Sequence, residues 1–449
     1  MLAVVGVLPR LLRFFLFLAL VGTGAAKAAE SLIPLYADAV HLGVSSCAGS
    51  SCHSSLVPWQ DSTVLQNEYV SWFEDDPHSK AYQVLLSDES QRIASNLGIE
   101  AAHEADLCLD CHADNVPAEL RAKGFQISDG VGCEACHGGG VNWLGIHVSG
   151  VASHSENVAA GMYPTEEPVA RARLCLSCHF GDKNRFVTHR IMGAGHPRMS
   201  FELDTFTATQ PAHYVIDQDY KVRKRVANRV QVWAVGQAYA FEALLDAMLD
   251  PNRNQDGIFP ELVFFDCHAC HHPMSNVRWQ PRESHSIGPG IPRINDSNLV
   301  MLSVILDHVD PLLAEKFRAN SKQLHQAAMS GHEATLKAAA SLKALTTELV
   351  QMLSTHNFGA SDMRLLLGGL ITRGLEGEYA DYAAAEQATM AASAILQAML
   401  DAEVIDEDQY LELMDVMSTC YEAVEKDEEY NPREFLAALQ ALEMAVPRL

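Results

Sequence analysis

Four short segments of the chain place two cysteines three positions apart, with a histidine directly after the second cysteine. They are CLDCH, CEACH, CLSCH and CHACH, which begin at Cys108, Cys133, Cys175 and Cys267. Two thiols at this spacing can add to the two vinyl groups of a haem, and the imidazole of the next residue then reaches the iron. Zinc ribbons and dithiol oxidoreductases also use paired cysteines, but neither requires a histidine after each pair. The repeated motif therefore predicts covalently bound haem c.

A fifth segment, CAGSSCH, has two additional residues between its cysteines. This C-x4-C-H arrangement is compatible with a fifth haem or with a simple disulfide. A longer loop can still present both thiols to a haem if it bulges, and we therefore expect five haems. The predicted attachment residues are Cys47, Cys52, Cys108, Cys111, Cys133, Cys136, Cys175, Cys178, Cys267 and Cys270. The predicted proximal iron ligands are His53, His112, His137, His179 and His271.

The first residues have the pattern of a secretory signal peptide. Arg10 and Arg13 precede an apolar run from Phe14 to Val21, and Ala26-Lys27-Ala28 offers a cleavage site of small residues. The apolar run is short for spanning a bilayer, so we expect removal of residues 1–28 rather than an anchor helix. The pattern predicts an exported, periplasmic protein with no transmembrane segment after cleavage.

The chain is strongly acidic, with a formal net charge of −25. This charge excludes nucleic acid as a plausible partner, because phosphates repel carboxylates. Carboxylates are concentrated from Glu376 to the C-terminus, a pattern that favours basic redox partner proteins.

The positions of the cysteines divide the chain into two parts. After Cys270 the chain contains only Cys420. The cysteine-rich part has little long-range periodicity and would pack poorly unless a large cofactor filled its interior. An exception is the segment 224–250, which has the apolar spacing of a long helix and precedes Pro251. We predict a mainly α protein: the signal peptide 1–28, a loop-rich multihaem cytochrome c domain at 29–294 with a haem core, and an acidic α-helical bundle domain at 295–449.

The predicted bundle has amphipathic spacing, as in Leu342, Leu345, Leu349 and Met352. Breaks between its helices are predicted at 330–331, at 357–359, at 374–377, before Val404 and at 431–432. These helices contain no nucleophile constellation and no phosphate-binding loop. We expect them to pack together and to provide a surface for a homo-oligomer or a partner complex.

Several segments of the cysteine-rich part resemble the tetrahaem cytochromes c that accept electrons from hydroxylamine oxidoreductase. The resemblance covers roughly residues 44–180 and is carried by CAGSSCH, SWFEDDPHSKAY, CLDCH, GVGCEACHGGG, LGIHVSG and CLSCH. In that family the first motif is followed by a tryptophan and an axial His-x-x-Ala, matched here by Trp72, His78 and Ala81. The family's second axial histidine is matched by His147. The first motif of the family is C-x-x-C-H, so the longer spacing here is a departure.

The segment CHACHHP lies outside the tetrahaem pattern and resembles an arrangement in the small class III multihaem cytochromes. There the second histidine of C-x-x-C-H-H-P ligates a neighbouring haem, which implies the same role for His272. The C-x4-C-H spacing also occurs in class III proteins, and this implies that Cys47 and Cys52 hold a haem.

Each iron needs a sixth ligand or stays open to small molecules. The cysteine-rich part is enriched in further histidines, which favours distal ligation by imidazole. The predicted distal ligands are His78, His147, His196, His213, His189 and His272. Met192, Met199 and Met274 lie near motifs, but the resemblance favours histidine, and ligation by two histidines predicts low reduction potentials. The resemblance also implies that the iron held by His112 is five-coordinate.

Two classes of function follow from these motifs. The first is an electron carrier that passes electrons between redox partners through closely packed haems. The second is a multihaem oxidoreductase that acts on a small nitrogen or sulfur compound at a five-coordinate haem. No C-x-x-C-K variant marks a specialised catalytic haem, so we favour the carrier.

Overall fold

The computed structural model describes residues 32–57, 65–212, 214–271, 282, 287–288 and 291–446. Helices dominate these residues, and extended residues pair in isolated bridges such as His41–Arg121 and Phe265–Ile294. The predicted mainly α, loop-rich fold is confirmed. The predicted signal peptide lies outside the described residues. Within the ranges given above, no helix is both long enough and apolar enough to span a bilayer.

The helices before residue 224 are short and separated by turns. They are α1 (Glu68–Asp75), α2 (Ala81–Val84), α3 (Asp88–Leu97), α4 (Asp106–His112), α5 (Cys133–His137), α6 (Leu144–His147), α7 (His154–Ala159), α8 (Pro168–His179), α9 (His189–Gly193), α10 (Leu203–Thr209) and α11 (Gln218–Arg223). A small apolar cluster contains Leu85, Ala94, Ala102, Leu109 and Ala113. Helices this short are marginal in water without tertiary support, and this cluster is too small to supply much of it.

The later helices are longer and pack around a large apolar core. They are α12 (Arg229–Leu249), α13 (Ser297–Val309), α14 (Pro311–Ala328), α15 (His332–Thr355), α16 (Ala360–Leu375), α17 (Tyr382–Asp401), α18 (Glu407–Ala423) and α19 (Pro432–Ala445). All five predicted breaks separate helices here. The sequence analysis did not predict the break at Asp310, whose side chain caps α14 by accepting a hydrogen bond from the Leu313 N–H.

Single turns of 3₁₀-helix connect many of these elements. They are Pro34–Tyr36, Val44–Ser46, Pro77–Lys80, Ala102–Glu104, Ala118–Leu120, Ile127–Asp129, Leu262–Phe264, Cys267–Ala269 and Asp427–Glu429.

Helix α12 joins the haem-motif region to the later helices. It begins at Arg229 rather than at the predicted residue 224, because the Asn228 side chain accepts a hydrogen bond from the Gln231 N–H and caps it. It packs against α13, α15 and α17, and also against α8, which ends in the CLSCH motif. Trp233 and Leu245 of α12 are fully buried in the shared core. The domain boundary at residue 294 stays a prediction, and α12 contacts helices on both sides of it.

Helix α10, which packs on α12, begins with a buried carboxyl group. The side chain of Glu202 is only 1% exposed and accepts hydrogen bonds from the N–H groups of Asp204 (2.9 Å) and Thr205 (2.7 Å). Burial, together with the nearby charge of Asp204, raises the pKa of Glu202 to about 7. The folded protein therefore keeps a proton on Glu202 at pH values where the unfolded chain has lost it.

Because the pKa of Glu202 is raised, we expect the stability of the protein to depend on pH. We expect Glu202→Gln to weaken that dependence. The Glu202 contribution is fully present below the pKa of the unfolded carboxyl, and it decreases as the pH rises from about 4.5 to about 7. We expect the free energy of unfolding to decrease less across this interval in the variant than in the wild type. The difference between the two decreases should be on the order of a few kcal/mol. Denaturant midpoints measured at several pH values check this, and parallel curves for the two proteins would contradict it.

Candidate haem sites

Local helical structure arranges three of the predicted haem motifs. CLDCH ends α4, CEACH forms α5 and CLSCH ends α8. In a helical turn, residues three and four apart share one face, so the two thiols and the histidine of each motif point the same way. CHACH begins instead in a 3₁₀ turn whose N-cap, Asp266, accepts a hydrogen bond from the His268 N–H.

The cysteines of the motifs are available for attachment to a cofactor. All eleven cysteines lie within the described residues, and each is a free thiol. Cys47 and Cys52 are unpaired like the others, and a fifth haem at these two residues stays a prediction. The Cys52 N–H donates to the Gly49 carbonyl (2.8 Å), so the additional residues form a turn that bulges between the two thiols.

Thiols of different motifs adjoin one another. The thiols of Cys47 and Cys133 interact and shift each other's pKa, which places the first and third motifs side by side. The thiols of Cys111 and Cys178 interact as well, and this interaction is the main reason why the pKa of the Cys178 thiol is lowered. The second and fourth motifs are therefore neighbours as well.

Among the residues that the structure describes, four motif histidines lie close to a second histidine. The ring centroids are 6.1 Å apart for His53 and His147, 6.1 Å for His78 and His179, 6.5 Å for His112 and His196, and 6.1 Å for His189 and His271. A first-row metal lies about 2 Å from each imidazole nitrogen, which puts the centroids of two rings on opposite sides of it about 6 Å apart. The four spacings fit an iron ligated by two histidines.

Hydrogen bonds hold several of these rings with Nε2 directed away from the protein partner. Nδ1 of His53 lies 2.9 Å from the Glu68 carboxylate, and Nδ1 of His78 lies 2.8 Å from that of Asp76. Nδ1 of His112 lies 3.2 Å from the Ala81 carbonyl oxygen. Metal-ligating histidines commonly use their second nitrogen in this way, which fixes the tautomer and leaves Nε2 for the metal.

At three of these histidines the environment also favours the neutral imidazole that a metal requires, whereas the hydrogen bonds to Glu68 and Asp76 raise the pKa values of His53 and His78. Burial, followed by the charge of His78, lowers the pKa of His179 to about 4. Burial likewise lowers the pKa values of His112 and His147. These histidines therefore need not lose a proton at neutral pH before they bind iron.

Four of the six predicted distal ligands lie within the described residues. His78, His147, His189 and His196 each lie opposite a motif histidine, and these assignments remain proposals. His213 and His272 lie outside the described residues. His196 lies opposite His112, so the geometry disfavours the five-coordinate iron that the resemblance implied there. The sequence analysis gave no role to His41, which is fully buried beside the CEACH motif.

A single segment around α9 contributes one histidine to each of two histidine pairs. His189 begins α9 and His196 follows it, and their partners belong to the CHACH and CLDCH motifs respectively. The His189 N–H donates to the carboxylate of Glu261 (2.7 Å), which is 1% exposed. This contact fixes α9 against the segment that leads to CHACH and brings the second and fifth motifs near each other.

Comparison with known proteins agrees with this geometry. Residues 47–138 match the model of the family described as cytochrome c554 and c-prime. The chain matches no curated protein and no solved structure. The matched segment begins at Cys47 and ends one residue after His137, so it includes the C-x4-C-H segment and two C-x-x-C-H motifs. The match supports a c-type cytochrome, a class of protein that binds haem covalently and transfers electrons.

Replacement of His196 tests the pairing with His112. We expect His196→Ala to leave one iron without its sixth ligand, so the reduced variant should bind about one more carbon monoxide per chain than the wild type. His154→Ala is a matched control, because Nε2 of His154 lies 2.5 Å from the Glu166 carboxylate and is already engaged. Absorbance titration of the dithionite-reduced proteins measures the binding, and a variant that binds no more carbon monoxide than the wild type would refute the pairing.

Proposed function

We propose that this protein is a periplasmic pentahaem c-type cytochrome that transfers electrons between redox partner proteins. The observation that carries the proposal is the set of four histidine pairs at 6.1–6.5 Å. An iron with two imidazole ligands has no position left for a substrate, so it exchanges electrons without binding one. The predicted N-terminal signal peptide supports this location.

The adjoining motifs support a continuous path for electrons. The first motif contacts the third through Cys47 and Cys133, and the second contacts the fourth through Cys111 and Cys178. The Cys136 thiol lies near the thiols of Cys175 and Cys178. Burial raises the pKa of the Cys136 thiol, and these two thiols raise it further.

Helix α9 then links the second motif to the fifth. The proposed order of the haems is first, third, fourth, second and fifth. The fifth haem is the addition to the tetrahaem cytochromes that the sequence resembles, and it would lie at one end of this order.

The five haems would be attached at the ten motif cysteines. Proximal ligation would come from His53, His112, His137, His179 and His271, and distal ligation from the paired histidines. The haem supplies the one-electron chemistry, and the chain supplies ligands, insulation from water and adjustment of the potential. Carboxylates on His53 and His78 increase the basicity of these ligands, and this effect lowers the reduction potentials further.

The surface charge favours basic partners. The net charge of −25 attracts positively charged proteins over several ångströms and steers their approach. The C-terminal helices carry much of this charge, including the exposed Glu407, Asp408 and Glu412 of α18. We propose that a basic redox partner docks through this charge.

The rate at which a partner protein oxidises the reduced haems distinguishes an electron carrier from an oxidoreductase. We expect a small basic cytochrome c to reoxidise the protein rapidly, and the rate to fall by roughly tenfold or more when ionic strength rises from about 0.01 M to about 0.15 M. An acidic cytochrome of comparable potential is the matched control and should react slowly at both ionic strengths. Stopped-flow absorbance of the haems measures each rate.

The same apparatus tests the oxidoreductase alternative. Nitrite, hydroxylamine and sulfite should cause no sustained oxidation or reduction of the haems beyond the rate seen in buffer alone. Multiple turnovers with any of these compounds would overturn the carrier and identify an enzyme.

A further inference from the structure

A tight hairpin follows the CLSCH motif and turns the chain back towards it. The Asp182 N–H donates to the Arg185 carbonyl (2.8 Å), and Gly181 and Phe186 form an antiparallel bridge. Gly181 has a φ of +117°, and a Cβ atom there would lie 2.5 Å from the Arg185 carbonyl oxygen, so only glycine fits. The hairpin therefore fixes the backbone from which the Arg185 side chain extends.

The Arg185 side chain is buried and joins the second motif to the fourth. It is 6% exposed. Nη2 donates to Oγ of Ser177 (2.6 Å), the middle residue of CLSCH, and Nη1 donates to the carbonyl oxygen of Asp110, the middle residue of CLDCH. The Asp110 carbonyl lies in the last turn of α4, where a helix leaves its carbonyls without partners. One guanidinium group thus contacts the two motifs at equivalent positions.

A third segment of the chain holds this guanidinium group in place. Nε of Arg185 lies 3.2 Å from the carboxylate of Asp182, which also accepts a hydrogen bond from the Tyr36 hydroxyl (2.7 Å). The planar guanidinium group presents its N–H donors at fixed angles, so it can serve Asp182 and both motifs at once. A lysine would reach only part of this set.

The positive charge of Arg185 acts on the attachment sites of both motifs. The interaction between the Cys111 and Cys178 thiols has the largest effect on their pKa values, and the charge of Arg185 acts to lower the pKa of each. In a loaded protein these two sulfurs are thioethers at the edges of the second and fourth haems. A buried charge is screened little by solvent, and a positive one favours the reduced haem, which has the lower net charge.

We propose that Arg185 is a positioning residue for electron transfer: it joins the second and fourth motifs, and its buried charge raises the reduction potentials of their two haems. The inference rests on the proposed function, because it requires haems at CLDCH and CLSCH. These two haems are neighbours inside the proposed order, whose ends are the first and fifth haems. Arg185 therefore acts on an internal step of the path rather than on the exchange with partner proteins.

The test is a redox titration of Arg185→Gln, followed by the absorbance of the haems. Two of the five potentials should fall, because the positive charge is lost while Asp182 keeps its negative one. Arg253→Gln is a matched control. The Arg253 side chain is 9% exposed, its Nε lies 3.0 Å from the carboxylate of Asp250, and its guanidinium group lies over the Phe186 ring. These contacts are outside the haem motifs, so the control should keep the five wild-type potentials.

Two further variants distinguish the charge from a purely structural role. Asp182→Asn removes the negative member of the ion pair and leaves the Arg185 contacts to both motifs, so the same two potentials should rise. Arg185→Lys keeps the charge and should retain most of the wild-type potentials. Structural damage alone would not shift the potentials in opposite directions in Arg185→Gln and Asp182→Asn, since both variants break the same ion pair.

The haem content of each protein, measured as the pyridine haemochrome, separates the two levels of the proposal. Too few haems in the wild type would refute the pentahaem function. A fully loaded Arg185→Gln protein with unchanged potentials, or equal shifts in Arg253→Gln, would refute the role of Arg185 alone. If neither Arg185→Gln nor Asp182→Asn acquires its haems while Arg253→Gln does, Arg185 serves assembly rather than potential, and the proposal is overturned.

Discussion

Two imidazoles can share an iron only when the protein holds their rings about 6 Å apart with one nitrogen of each facing inward. The cysteine-rich part of this chain meets that condition at four histidine pairs, although the two members of each pair come from different segments. His53 and His147, for example, are separated by the whole CLDCH and CEACH region. The need to hold both rings explains why this part is a series of short helices and turns rather than a few long helices.

Such a fold cannot stabilise itself by side-chain burial alone. Its small apolar cluster around Leu85 and Leu109 contrasts with the extensive core around Trp233 and Leu245 of α12. Two features compensate. Helix α12 packs on α8 and so connects one haem motif to the large core. Bound haems would add the apolar surface and the metal–ligand bonds that the short helices lack, so cofactor binding and folding would be coupled.

Much of this organisation could be predicted from the sequence because it depends on local spacing. The attachment cysteines and proximal histidines lie within single turns, and the breaks before Gly331 and at Pro432 follow from residues with strong local preferences. Distal ligands are different, since they are brought to the iron by tertiary contacts. His78 and His147 were found only through a family resemblance, and His196 had no local signal beyond a general enrichment in histidine.

The start of α12 shows the limit of inference from local spacing. The sequence predicted a helix from residue 224, but a single cap at Asn228 outweighed the helical spacing of the preceding residues.

The central claim is that thioether-bound haems occupy the positions between these histidines. The intact mass of the exported, mature polypeptide under denaturing conditions tests it most directly, because covalent haems stay attached while other cofactors are lost. The account predicts the mass of residues 29–449 plus five haems. A mass with four haems would exclude attachment at Cys47 and Cys52, and a mass equal to that of the amino acids alone would contradict the account as a whole.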